Sequence, residues 1–442
     1  MNKKYCLSNK MVGKMCFCTL LFLGSYTSIF ASQISFSSQD TTSSINYLAS
    51  VTTMTLGGAE DKYRFGLRCL HGAVLEKASA FKFFQAAAEL GHIKAEGMLG
   101  YCYEHGIGTQ IDIDQAVQAY VRAANQGDDV AQYNLGLCYE KGTVVPQNLK
   151  EAARLYRLAA EQENTAAECS LGYFYEHGIV VPVNLESAIK LYALAAKNGN
   201  AAAQRNLGFC YEHGKGVEQN YFKARKLYEC AAEQGYMEAV LSLGYCYEYG
   251  IGIAKDTKKA FELYTKAAKS GLAAAQLSLG YCYEHGIGVY GSYNDEPGAL
   301  QPAAAAHWYE LAVQQGDASA MNNLGVLYEN GDGVRKNINV AVALYKKSAE
   351  LGDDQGQLNL GLCYEQGIGV EKDLKKAVEL YKKAAKQDNA EAEFALGILC
   401  EQGYGAKPNI KLAIEYYKLA YAHGNSEAKK FLDQLLIKKN PK

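Results

Sequence analysis

Small and apolar positions recur along the chain every 36 residues, and each period holds two stretches of helical spacing. In the first stretch, helix A, an alanine stands four residues before a Leu-Gly pair. Ala95, Ala131, Ala167, Ala203, Ala239, Ala275, Ala320 and Ala392 precede Leu99, Leu135, Leu171, Leu207, Leu243, Leu279, Leu324 and Leu396 in this way, and Leu360 belongs to the same row. One step, from Leu279 to Leu324, is 45 residues long, and a weaker copy at Phe65-Gly66 brings the total to ten. At 100° per residue Ala95, Leu99, Cys102, Tyr103 and Gly106 share one face, which reads as the core. Gly100 lies beside that face. A mid-helix glycine costs about 1 kcal/mol relative to alanine, so its recurrence predicts close backbone approach by a neighbouring helix.

Helix A ends at Gly106, followed by Gly108; the same Gly-x-Gly begins at Gly214, Gly250, Gly286, Gly331, Gly367 and Gly403. Glycine supplies the left-handed conformation of a helix exit. Six residues after the first glycine stands Asp or Asn (Asp112, Asn148, Asn184, Asn220, Asp256, Asn337, Asp373, Asn409), the N-cap place of a second helix, B. Helix B carries alanine four and an aromatic eight residues beyond the cap, as in Ala116/Tyr120, Ala188/Tyr192 and Ala260/Tyr264. Gly127, Gly199, Gly235 and Gly271 close it. The pattern predicts an all-α solenoid of about ten helix-turn-helix repeats over residues 59–425. An insertion near 290–298 precedes Gln301-Pro302, where proline suits the first position of a helix. Residues 426–442 read as a capping helix and basic tail: Ala428 and Leu432 keep the register, and Asp433 replaces the glycine.

Outside the repeats, residues 1–31 read as a signal peptide. Lys3, Lys4, Lys10 and Lys14 precede a mostly apolar run from Cys16 to Phe30, with cleavage expected near Ala31. A signal anchor is the alternative reading, although the run is short for a span and polar residues interrupt it. Residues 32–58 read as a Ser/Thr-rich linker. The expected location is secreted or periplasmic, with no stable membrane span after cleavage. Formal net charge is −2, and −6 once the four leader lysines are set aside, which gives no basic footprint for nucleic acid.

The combined phrase A-x3-L-G-x2-Y-E-x-G-x-G, then an Asp or Asn cap, then A-x3-Y-x2-A-A-x2-G, resembles the Sel-1-like repeat, a relative of the tetratricopeptide repeat. The resemblance spans about residues 59–438. It implies a right-handed superhelix of helix pairs used for protein–protein interaction, in secretory-pathway adaptors of eukaryotes or in exported bacterial proteins that meet host cells. A cysteine-rich secreted subgroup joins successive repeats through cysteines eight apart. Ala232 and Val240 stand at those places here, so the subgroup's disulfides and its penicillin binding are not carried over.

Stacked repeats turn each position into a column. Cys102, Cys138, Cys210, Cys246, Cys282 and Cys363 read as small apolar core residues. Helices pack 8–10 Å apart, beyond the roughly 7 Å Cα separation that a disulfide spans. Cys169 and Cys230 point away from the core by helical count, which makes them the candidates for reactive thiols. Cys102/His105-type pairs lack the third and fourth ligands of a zinc site, so no metal or cofactor is expected. The glutamates Glu104, Glu140, Glu176, Glu212, Glu248, Glu284, Glu329, Glu365 and Glu401 sit in the last turn of helix A, where a carboxylate opposes the helix dipole. They read as structural carboxylates, held by loop N–H groups or a neighbouring lysine, or as a row of contacts for a basic ligand.

The exposed side of helix A carries Tyr101, Tyr173, Phe209, Tyr245 and Tyr281, beside His105, His177, His213, Tyr249 and His285. Asn134, Asn206, Asn323 and Asn359 follow a polar column next to them. Helix A lines the concave side in tetratricopeptide-like folds, and tyrosine is enriched in binding hot spots. These residues are therefore the candidate partner-binding set, and the histidines would tie binding to pH between about 5 and 8. No H-E-x-x-H, G-x-S-x-G or P-loop phrase occurs, and no repeat gathers acid, base and nucleophile. The reading is an exported, non-enzymatic scaffold for a peptide or protein segment, in a bacterial envelope or at a host interface. The alternatives are an envelope enzyme or peptidoglycan- or β-lactam-binding protein, and an endoplasmic reticulum quality-control adaptor.

Overall fold

The computed structural model describes residues 57–71, 74–289, 300–403 and 407–439. The leader, the linker up to residue 56 and the insertion near 290–298 lie outside them. The described residues form an all-α solenoid of ten helix pairs, without strands. Two compact units divide the chain, Met1–Tyr236 and Met237–Lys442. The first holds α1 (Ala59–Leu70), α2 (Val74–Ala88), α3 (Ile93–His105), α4 (Ile113–Asn125), α5 (Asp129–Lys141), α6 (Leu149–Ala160), α7 (Thr165–His177), α8 (Leu185–Lys197), α9 (Ala201–His213) and α10 (Tyr221–Glu233). The second holds α11 (Met237–Tyr249), α12 (Thr257–Lys269), α13 (Ala273–His285), α14 (Pro302–Gln314), α15 (Ala318–Asn330), α16 (Ile338–Glu350), α17 (Asp354–Gln366), α18 (Leu374–Ala385), α19 (Ala390–Gln402), α20 (Ile410–Ala422) and the closing α21 (Ser426–Lys439). Odd-numbered helices up to α19 are helix A of a repeat, and the even-numbered ones are helix B.

The turn between A and B is built as the sequence pattern requires. Gly106 has φ 66° and donates its N–H to the Cys102 carbonyl, which ends α3. Asp112 caps α4, its carboxylate accepting the Gln115 N–H at 3.0 Å. The N–H of Asp112 itself donates back to the Tyr103 carbonyl at 2.9 Å, so the start of B is tied to the end of A. Asn148, Asn220 and Asp373 repeat this tie to Tyr139, Tyr211 and Tyr364 at 2.8 Å. The second glycine lets the turn rest on helix B of the preceding repeat: a Cβ on Gly216 would stand 2.7 Å from the Leu185 Cβ. Val144 and Val180 occupy the equivalent place in two repeats, with φ of 65° and 61°. A left-handed conformation costs a side-chain-bearing residue about 1–2 kcal/mol.

The core of each repeat is an aromatic ring of helix B, Phe84 in the first and a tyrosine in the other nine. Tyr120, Tyr156, Tyr192, Tyr228, Tyr264, Tyr309, Tyr345, Tyr381 and Tyr417 are all buried. Each lies against the mid-helix glycine of its own helix A. A Cβ on Gly100 would stand 2.6 Å from the Tyr120 ring and 3.0 Å from the Ala116 carbonyl. The expectation of close backbone approach therefore holds only in part, because the nearest group is an aromatic ring. A second expectation fails at Cys169. Its thiol is buried, because Asn206 of the next helix A covers it, with Nδ2 3.7 Å from Sγ. Cys230 is exposed as expected.

Candidate functional site

On helix A the ring of one residue lies over the side chain four positions later. Tyr173 stacks on His177 with centroids 3.8 Å apart, and Tyr281 on His285 at 4.1 Å. Tyr101 and Phe209 lie over His105 and His213 at 4.2 and 4.1 Å, with the planes tilted. Tyr245 and Tyr249 form the corresponding pair at 6.5 Å. In each histidine pair Nδ1 lies 3.0–3.1 Å from the backbone carbonyl four residues earlier. A carbonyl only accepts, so Nδ1 carries the proton and Nε2 of the neutral ring is an acceptor. His177, His213, Tyr249 and His285 are exposed, the rings beneath them are half-buried, and Tyr101 is buried.

The asparagines of the candidate set occupy a different environment. Asn134 is buried. Asn206 donates to Cys169, and Asn359 donates to Asn322 at 2.7 Å, in both cases a bond between successive A helices. Asn323 accepts from Asn322 at 3.2 Å. Ser278, at the same repeat position, meets the Tyr245 hydroxyl at 2.8 Å. The structure thus pairs each ring with the side chain four positions later on its own helix A, and it places Asn206 and Asn359 in the seams between repeats.

Sequence reasoning left the glutamate column without its partner, and the structure supplies one. The helix B tyrosines donate their hydroxyls to these carboxylates: Tyr120 to Glu104, Tyr192 to Glu176 and Tyr228 to Glu212 at 2.7 Å, and Tyr264 to Glu248, Tyr309 to Glu284 and Tyr345 to Glu329 at 2.6 Å. Tyr417 donates to Glu401 at 2.9 Å, and Tyr156–Glu140 and Tyr381–Glu365 complete the series. The signal was present as a tyrosine sixteen residues after each glutamate except Glu284, whose tyrosine follows the insertion at 25. Burial pushes the Glu140 carboxyl above its ordinary range, against the hydrogen bond from Tyr156. Burial likewise raises the cysteine column, with Cys102, Cys138 and Cys210 pushed up to about 12 and Cys363 to about 11. Thiols held protonated in this way are poor nucleophiles.

A cavity of about 920 Å³ lies at the start of α3 and α5, lined by Tyr63, His92, Lys94 and Asp128 among others. His92 Nδ1 accepts the Ala95 N–H at 3.2 Å and Nε2 lies 3.0 Å from Glu60. Desolvation lifts the Asp128 carboxyl to about 6. Among the described residues no three His, Cys, Asp or Glu side chains are placed to share a metal ion.

The Sel1 repeat model matches residues 63–92, 93–128, 129–164, 165–200, 201–236, 238–272, 273–317, 318–353, 354–389 and 390–425. The chain belongs to the Sel1 repeat family. The longer match over 273–317 takes in the insertion. Among solved structures, a Sel1 repeat protein from Oxalobacter formigenes is 31% identical, with 60% of this chain and 96% of that one covered and a TM-score of 0.48. A protective antigen of uropathogenic Escherichia coli with an SLR fold is 29% identical, with 89% and 91% covered and a TM-score of 0.49. No curated protein matches the chain. Sel1-repeat solenoids are typically protein–protein interaction scaffolds and generally non-enzymatic. Among the described residues of this Sel1 protein, no helix is long and apolar enough to cross a membrane.

Proposed function

We propose that the chain is an exported, non-enzymatic scaffold that holds a peptide or protein segment along its helix A face, the concave side of the solenoid. The row of ring–histidine pairs carries this reading. These side chains are aromatic, they are locked by stacking and by the Nδ1 bond to the backbone, and their outer atoms are exposed. Rigid aromatic surface loses little conformational entropy on binding, which is why such residues dominate binding energy. The basic, then apolar, leader supports export, to the periplasm or beyond the cell, in a bacterial envelope or at a host interface.

Affinity capture with the full chain tests the reading, beside a variant carrying Tyr173→Ala, Phe209→Ala and Tyr281→Ala. Both baits need matching circular dichroism, so that lost folding is not taken for lost binding. A partner held by the first and released by the second is the expected result. Equal capture by both baits would move the site off this face.

A further inference from the structure

Within the first unit the end of helix A is a rim rich in acceptors, interrupted by Lys141 beside Glu140. Its last turn carries the tyrosine-clamped glutamates, and histidines whose Nδ1 protons are committed to the backbone. The negative end of each helix dipole lies at the same place. One repeat shows what such a rim takes. The Glu176 side chain is only 6% exposed; its Oε2 accepts from Tyr192, and its Oε1 receives the Lys215 ammonium at 2.7 Å. Lys215 comes from the Gly-x-Gly turn of the next repeat. In the two preceding repeats the same turn position holds Thr143 and Ile179, so Glu104 and Glu140 receive no ammonium from it. Each keeps its tyrosine on Oε2.

We propose that this rim binds an extended basic segment of a partner protein, whose lysine or arginine side chains take on Glu104 and Glu140 the place that Lys215 takes on Glu176. The proposal rests on the reading of the helix A face as the binding face. Charge complementarity selects the partner: a carboxylate already bonded to a tyrosine hydroxyl is ordered as an acceptor, and a cation is the group that completes it. Spacing sets the partner's sequence. Packed helices lie about 10 Å apart, and an extended chain rises about 3.3 Å per residue. A cationic residue at about every third position therefore meets successive repeats.

The test is fluorescence anisotropy with the full chain and labelled synthetic peptides. One is five repeats of Lys-Ser-Gly, one has the same composition with its lysines in a block, and one is five repeats of Glu-Ser-Gly. The spaced lysine peptide is expected to bind at least tenfold tighter than either of the others. The pair Glu104→Gln with Glu140→Gln should weaken it at least tenfold, because glutamine still accepts the tyrosine hydroxyl but carries no charge. The pair Glu89→Gln with Glu161→Gln, the same charge change at the far ends of α2 and α6, should alter it less than twofold. Ile179→Lys, which supplies Glu140 with an in-chain ammonium, should also weaken binding. Equal binding of spaced and blocked lysines, binding of the glutamate peptide, no binding of any peptide, or no effect of the rim pair would each overturn the proposal. If the lysine peptides fail while the ring variant still releases a captured partner, the scaffold reading stands and the basic partner falls. If both fail, both readings fall.

Discussion

Tyr264 of α12 donates its hydroxyl to Glu248 of α11 at 2.6 Å, and both side chains are buried. The bond joins the two helices of one repeat at the point where the α11 dipole turns negative. It offsets the cost of a carboxylate in a helix's last turn, because a charge-assisted hydrogen bond is roughly twice as strong as a neutral one. Tyr264→Phe removes the donor and leaves the carboxylate under-satisfied, while the ring still fills the core. The expected loss is about 1–3 kcal/mol. Urea unfolding of wild type and variant measures it, and a loss below about 0.5 kcal/mol would show the bond to be dispensable.

The ring position fixes what the neighbouring glycine can become. Gly100→Ala should gain about 1 kcal/mol of helix propensity. The new Cβ would stand 2.6 Å from the fully buried Tyr120 ring, which has nowhere to move. Overpacking of this kind costs about 1–3 kcal/mol, so the net result expected is destabilisation. A raised melting temperature would mean that the ring yields.

The helix pairs, their caps and their exits were legible because each depends on residues within one turn of the chain: Asp112 on Gln115, Gly106 on Cys102. The partner of Glu104 was harder to read because it lies on another helix, although the sixteen-residue offset recurs. The pair Glu284–Tyr309 shows that packing sets the relation, since it persists at an offset of 25 residues across the insertion. Cys169 was misread for a related reason. A helical count within one repeat cannot see the next repeat, and it is Asn206 of α9 that covers the thiol. The asparagine column, read as surface, likewise contributes bonds between repeats.

That burial has a chemical consequence. Cys230 is exposed, whereas Cys102, Cys138, Cys169, Cys210, Cys246, Cys282 and Cys363 are buried. A maleimide applied to the native chain at pH 7 is expected to modify Cys230 at least tenfold faster than any of those seven. Peptide mass spectrometry on a time course reads the order, and denaturant should erase it. Modification of Cys169 at the Cys230 rate would put its thiol back on the surface.

Glu168 in α7 departs from a pairing that recurs in the seams between repeats. In four repeats its place holds Gln132, Gln204, Gln276 and Gln357, which donate to the carbonyls of Ala124, Ala196, Ala268 and Ala349 at 3.4, 3.2, 3.4 and 3.4 Å. Each of them also accepts from a glutamine of the following turn: Gln162, Gln234, Gln315 and Gln387. In the Glu168 repeat that second position is Asn198. The Glu168 side chain is buried, and both carboxylate oxygens lack a hydrogen-bond partner. Desolvation, with a smaller contribution from Glu163, lifts its pKa from 4.5 to about 7. The folded state therefore binds a proton more tightly than the unfolded state, and stability from this residue is lost as pH rises from about 4.5 through about 7. Glu168→Gln supplies the neutral donor that the seam uses elsewhere. It should stabilise the chain by about 1–3 kcal/mol at pH 8 and much less at pH 4.5, because a buried polar group without a partner costs that much. Urea unfolding at both pH values compares the two chains. A wild-type-minus-variant difference that does not change with pH would show that Glu168 is not protonated in the fold.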